Sequence, residues 1–276
     1  MTRVADRGLD GLFVGVARAV VAGVLAAVLL LVTRQPWPAR HQWRALAVTA
    51  GGVVVGFPVL TSIALHGVPA SHAAVTIGLL PAMTAVTAVL RTGERLPGRF
   101  WTAVGLGAAA TVAFSVQAGG GPGGIRTADV LLLGAVVAAA IGYTEGGLLA
   151  RTLGPWQTIC WSLVLVLPGT ALTTALLAHA HPVHATAGQW AAFGYLGVVS
   201  MFLGFFAWYR GLAIGPIARI SQVQLVQPVL SILWSALLLR ERLSPFLLAS
   251  AAVVICCATL AVRTRARVIA LGPAPR

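Results

Sequence analysis

Nine runs of apolar residues follow one another along the chain, near 12–33, 45–65, 71–90, 97–117, 130–150, 156–178, 190–209, 218–239 and 245–262, with short polar breaks between them. A helix needs roughly 17–25 apolar residues to cross the hydrocarbon core of a bilayer. Each run therefore predicts a transmembrane helix, and the expected fold class is an all-α membrane protein with nine spans. Fewer than a hundred residues remain for loops and tails, and the longest connections are 118–129 and 179–189. No extramembrane catalytic domain is expected to fit. The first run, at about 22 residues, exceeds the roughly 7–15 of a signal peptide's apolar core and reads as a retained helix.

Composition removes the soluble alternatives. Of 276 residues, 9% are charged and 58% hydrophobic, and mean hydropathy is +0.91. A soluble domain carries about 25% charged residues, so this much apolar surface cannot be hidden from water. All 19 basic residues are arginine, spread singly or in small groups between the apolar runs. That spread argues against a nucleic-acid partner, which needs basic residues gathered on one surface. It suits the charge bias that orients membrane helices. With the C-terminus in the cytoplasm, thirteen arginines fall inside and five outside, and Arg18 lies within the first run. The arginine, alanine, valine and leucine bias hints at a GC-rich bacterial genome, so a multi-pass place in the bacterial inner membrane is expected. The chain has no asparagine and hence no N-glycosylation site. Cys160, Cys256 and Cys257 lie in apolar runs and read as small core hydrophobes, not a disulfide framework or metal site.

The chain also repeats itself. Pro81 and Pro228 are 147 residues apart, and the same offset matches Pro69 to Pro216, Gln42-Trp43 to Gln189-Trp190, and Glu94-Arg95-Leu96 to Glu241-Arg242-Leu243. It pairs runs one to four with runs six to nine. Run five has no counterpart, so the unit is expected to have five helices, with the first helix of the first unit absent. An odd-numbered unit repeated in tandem inserts the second time upside down, as in the inverted repeats of secondary transporters. The expected organisation is a first half-repeat at 1–117, a glycine-rich linker at 118–129, a second half-repeat at 130–262 and a basic cytoplasmic tail at 263–276.

Two stretches carry a family likeness: Gly78-Leu79-Leu80-Pro81 leading to Gly93-Glu94-Arg95-Leu96, and Gln224-Leu225-Val226-Gln227-Pro228 leading to Arg240-Glu241-Arg242-Leu243. In them the chain resembles the EamA-type branch of the drug/metabolite transporter superfamily, across nearly its whole length. The resemblance implies ten helices, export of small metabolites or drugs, and a central cavity between the halves. Arg18 resembles the arginine often found early in that family's second helix. The chain departs from the family at its N-terminus, where the first helix is missing.

Run eight carries the clearest candidate site. At 100° per residue, Ser221, Gln224, Pro228, Ser231 and Ser235 share one sector. Polar groups facing lipid are costly, so this stripe is expected to wall a substrate cavity; interhelical hydrogen bonding is the alternative. Pro81 and Thr84 occupy the matching places in run three. Trp234 lies just off the stripe, and Tyr143, Tyr195, Trp208 and Tyr209 could stack on a substrate or anchor span ends. Glu145 is the one carboxylate within a predicted run, about a turn from its cytoplasmic end. It is a candidate for proton coupling or cation binding, against an end residue paired with Arg151 or another loop arginine. Arg18 could bind a substrate carboxylate or reach out to lipid phosphate. The glycine pairs 52/56, 142/146 and 211/215 permit close helix contact.

Rival chemistries find little to build on. The loop histidines His179, His181 and His184 lack a rigid further ligand, and the glycines of 119–124 lack the Gly-Lys-Ser/Thr ending of a phosphate loop. No metal, cofactor or catalytic residue is expected, and no enzymatic activity. The partners expected are a small-molecule substrate and the lipid bilayer, and a homodimer is one assembly that fits the pattern. The function expected is a secondary transporter exporting small metabolites or drugs, amino acids among the candidates, by alternating access. The alternative is a truncated or helper-dependent membrane protein with no transport of its own.

Overall fold

The computed structural model describes residues 11–65, 73, 76–117, 127–180, 185–226, 252–253, 256–257 and 259–261, and among these there is no β-strand. We number the helices α1 (Gly11–Val32), α2 (Arg40–Leu65), α3 (Leu80–Thr92), α4 (Gly98–Gln117), α5 (Thr127–Leu153), α6 (Pro155–Ala180), α7 (Ala187–Ile214) and α8 (Ile217–Ile220). α1, α2, α5, α6 and α7 are each long and apolar enough to cross a membrane. Runs eight and nine lie mostly outside the described residues, as do the tail and residues 118–126 of the expected linker at 118–129, whose last three residues belong to α5.

Two elements depart from uninterrupted spans. The third run is broken by a turn at Gly78 and Leu79, and α3 starts afresh with Pro81 in its first turn, where a missing N–H costs nothing. α3 ends on Gly93, whose φ of 67° is a left-handed conformation that glycine adopts without a Cβ clash. Its N–H is bonded to the Val89 carbonyl at 2.9 Å. The eighth run begins as one α-helical turn, α8, and then tightens into a 3₁₀ segment at Ser221–Leu225.

α5 is the central post, packed against α2, α3, α6 and α7. Small residues make this contact close, because lipid is as apolar as leucine and membrane helices associate mainly through packing. A Cβ added at Gly142 would lie 2.7 Å from a Val53 methyl group, and one added at Gly52 would collide with the Ala138 carbonyl. Large apolar residues are exposed on the outer faces, Leu90 at 79% and Leu172 at 63%, as a lipid-facing surface requires. Cys256 corrects the expectation of three core cysteines: Cys160 and Cys257 are buried, but Cys256 is exposed, because an apolar residue in a membrane can face lipid as readily as core.

The 147-residue offset reappears in the backbone. The Gln42 Oε1 accepts the N–H of Ala39 at 2.9 Å, and the Gln189 Oε1 accepts that of Thr186 at 2.7 Å. α2 then widens into a π-helical segment at Ala50–Gly56, and α7 does so at Leu196–Leu203. Shifting 50–56 by 147 gives 197–203. α1 packs on the π segment of α7, and α6 on that of α2.

Candidate functional site

The π-bearing part of α7 opens on a cavity of about 620 Å³, within the roughly 300–1,000 Å³ usual for small-molecule sites. α7 contributes Tyr195, Val199, Ser200, Gly204, Phe205 and Trp208; α5 contributes Tyr143; and Val223, Gln224 and Val226 come from the 3₁₀ segment and the residue after it. The rings form one packed wall, with Tyr143 edge-on to Trp208 at 5.5 Å between centroids and 6.3 Å from Phe205. The 3₁₀ twist matters because residues three apart eclipse one another.

Two polar atoms on this wall have no hydrogen-bond partner among the described residues. They are the Trp208 Nε1, a donor, and the Gln224 Oε1, an acceptor. Leaving a buried polar group unpaired costs about 1–3 kcal/mol, so a bound solute offering one acceptor and one donor would be favoured here. Arg18 is half-buried in α1.

None of the other predicted site residues is among the described lining of this cavity. Ser221 is fully buried, its hydroxyl directed to the carbonyls of Ala218 at 3.0 Å and Pro81 at 3.4 Å. Thr84 is fully buried and donates to the Leu80 carbonyl at 2.8 Å. Pro81 supplies the carbonyl on which the 3₁₀ segment and α3 meet. Pro228, Ser231, Trp234 and Ser235 lie outside the described residues. Gln222, which the apolar pattern does not single out, ties the 3₁₀ segment to α3: it is fully buried and its Nε2 donates to the Pro81 carbonyl at 2.9 Å.

Glu145 is held by an arginine, and that arginine is Arg91 of α3, whose Nε donates to the Glu145 Oε1. Arg151 instead donates to the Gly215 carbonyl at 3.0 Å. One turn inward from the ion pair, the hydroxyls of Thr87 and Thr144 are 2.9 Å apart. The α3–α5 interface is thus a polar ladder ending in an ion pair. Tyr209, also a candidate, is fully buried against Gly146.

Against known proteins, the model of the EamA-like transporter family matches this chain over residues 1–116 and 126–263. The two matches end 147 residues apart, the offset found within the chain. The uncharacterized transporter YdeK of Bacillus subtilis (strain 168) is 42% identical over 270 residues, which is 95% of this chain and 91% of that protein. A crystal structure of a protein 19% identical superposes with a TM-score of 0.79, covering 95% of this chain and 91% of its own. At that identity the likeness shows a shared fold.

Proposed function

Because the chain belongs to the EamA-like transporter family and is a multi-pass membrane transporter, we propose that it is a secondary carrier exporting a small metabolite or drug by alternating access. The half-repeats at 1–117 and 130–262, inserted in opposite senses, would rock about the cavity, with 118–129 as linker and 263–276 as tail. The inner membrane and a cytoplasmic C-terminus follow from the arginine distribution. The observation that carries this reading is the cavity walled by Tyr143, Trp208 and Gln224. It combines aromatic faces with a donor and an acceptor that have no partner among the described residues, and none of the described lining residues is a carboxylate. That chemistry favours a neutral or zwitterionic solute.

The test is the extracellular metabolite profile of cells expressing residues 1–276, compared with vector cells and with a Gln224→Leu variant present at equal level. The expected result is a few compounds enriched outside, with enrichment cut about tenfold by the loss of a hydrogen bond worth roughly 1–2 kcal/mol. Enrichment unchanged in the variant would detach the cavity from transport.

One observation favours a second reading, a carrier whose cavity is closed by a further helix. Gly52 and Gly56 of α2 face Ala138 of α5. Their counterparts at the 147 offset, Val199 and Leu203 of α7, are 39% and 48% exposed. No export from this chain alone, with export restored by supplying such a helix, would favour that reading.

A further inference from the structure

The turn from α1 into α2 carries a feature that the repeat does not explain. Three tryptophans cluster there: the Trp37 centroid is 5.0 Å from that of Trp161 of α6 and 6.4 Å from that of Trp43. Trp43 is pinned in turn by its Nε1, which donates to the Pro38 carbonyl at 3.1 Å. Trp37 nevertheless remains 76% exposed, and beside it the last two residues of α1, Leu31 and Val32, are 76% and 75% exposed. Arg34, Arg40 and Arg44 flank this apolar surface along the chain, all exposed, and none forms an ion pair with a carboxylate among the described residues.

The second half of the chain serves as an internal control. At the 147 offset the helix-starting residues are kept, Gln42-Trp43 as Gln189-Trp190, but Arg40 and Arg44 become Ala187 and Ala191. The glutamine and the tryptophan are thus common to both helix starts, and the arginines belong only to the one expected on the cytoplasmic side. A helix in water would gain nothing from an exposed indole near guanidinium groups that have no carboxylate partner among the described residues. At the edge of a bilayer the same arrangement meets a phosphate on one side and an acyl chain on the other.

We propose that this turn is a binding site for an anionic phospholipid. Arg34, Arg40 and Arg44 would hold the headgroup phosphate, and Leu31, Val32 and the Trp37 indole would seat the first part of the acyl chain. Guanidinium groups suit this task because their fork of donors matches phosphate oxygens. The apolar half of the site selects a lipid over a free phosphate ion. The site is independent of what the protein transports.

The experiment uses the purified full chain in mild detergent and measures lipid retention by native mass spectrometry, with phosphatidylglycerol, phosphatidylcholine and inorganic phosphate as probes. The unaltered protein should retain phosphatidylglycerol over phosphatidylcholine by about tenfold, given a gain of several-fold for each arginine near a membrane surface. Arg40→Gln with Arg44→Gln should erase that preference. Trp37→Ala, which leaves every charge in place, should weaken retention of phosphatidylglycerol several-fold. Arg95→Gln with Arg99→Gln, equal in charge and exposed on another turn, should change neither. Equal losses in both arginine pairs, or no effect of Trp37→Ala, would reduce the feature to diffuse charge and overturn the proposal. Displacement of the lipid by millimolar inorganic phosphate would overturn it as well, in favour of a simple anion site.

Discussion

Tyr209 is the largest fully buried side chain among the described residues, and it is buried because position 146 has no side chain. A Cβ added at Gly146 would stand 2.7 Å from the Tyr209 hydroxyl oxygen and 2.8 Å from the ring carbon that bears it. Gly146→Ala must therefore push the ring away, and overpacking of this kind costs about 1–3 kcal/mol. Thermal unfolding in detergent should show the variant several degrees less stable. Gly188→Ala, where nothing lies within 4 Å of the added Cβ, should show no loss. Glu145 belongs to the same scale. Its partner is Arg91, so the geometry assigns it to holding α3 on α5. Glu145→Gln should leave any pH-gradient dependence of transport unchanged while loosening that contact. Loss of the dependence in the variant would return Glu145 to proton coupling.

Among the elements, the starts of α2 and α7 are the most sharply defined. Each glutamine folds back on the N–H that precedes its helix, satisfying a donor the helix cannot. Gln42→Ala and Gln189→Ala should each lower stability by about 1 kcal/mol. The losses should add in the double variant, since the two ends share no partner; denaturant titration of the four proteins would measure this. The sequence already held this pair, as Gln-Trp at one offset, and the physical reason is that a cap is local: three residues and one hydrogen bond. A π segment is different. Both AGGVVVG of α2 and LGVVSMFL of α7 satisfy the apolar pattern of an ordinary span, and only the packing partner decides which ring of hydrogen bonds closes.

Across the whole molecule, the placement of α1, α2, α5, α6 and α7 was legible because lipid imposes one requirement on every span: apolar length. The family likeness was legible in Pro81, Pro228 and the Glu-Arg-Leu turns. The site was legible only in pieces. Gln224 stood out as a polar residue in an apolar run, but the cavity assembles rings from α5 and α7, more than fifty residues apart. The Arg91–Glu145 pair spans 54 positions, and nothing in either neighbourhood names the other. Gln222 was hidden because it falls about 100° off the stripe of Ser221 and Gln224, on the face that turns to the Pro81 carbonyl of α3. The matched π segments reach further than packing. A π turn holds one residue more than an α-helix would use in that stretch, and it sits at the same offset in both halves. If that residue was gained once, the gain came before the ancestral gene doubled. The distortion is then older than the two-part protein, and a single-unit descendant of that ancestor should still carry it.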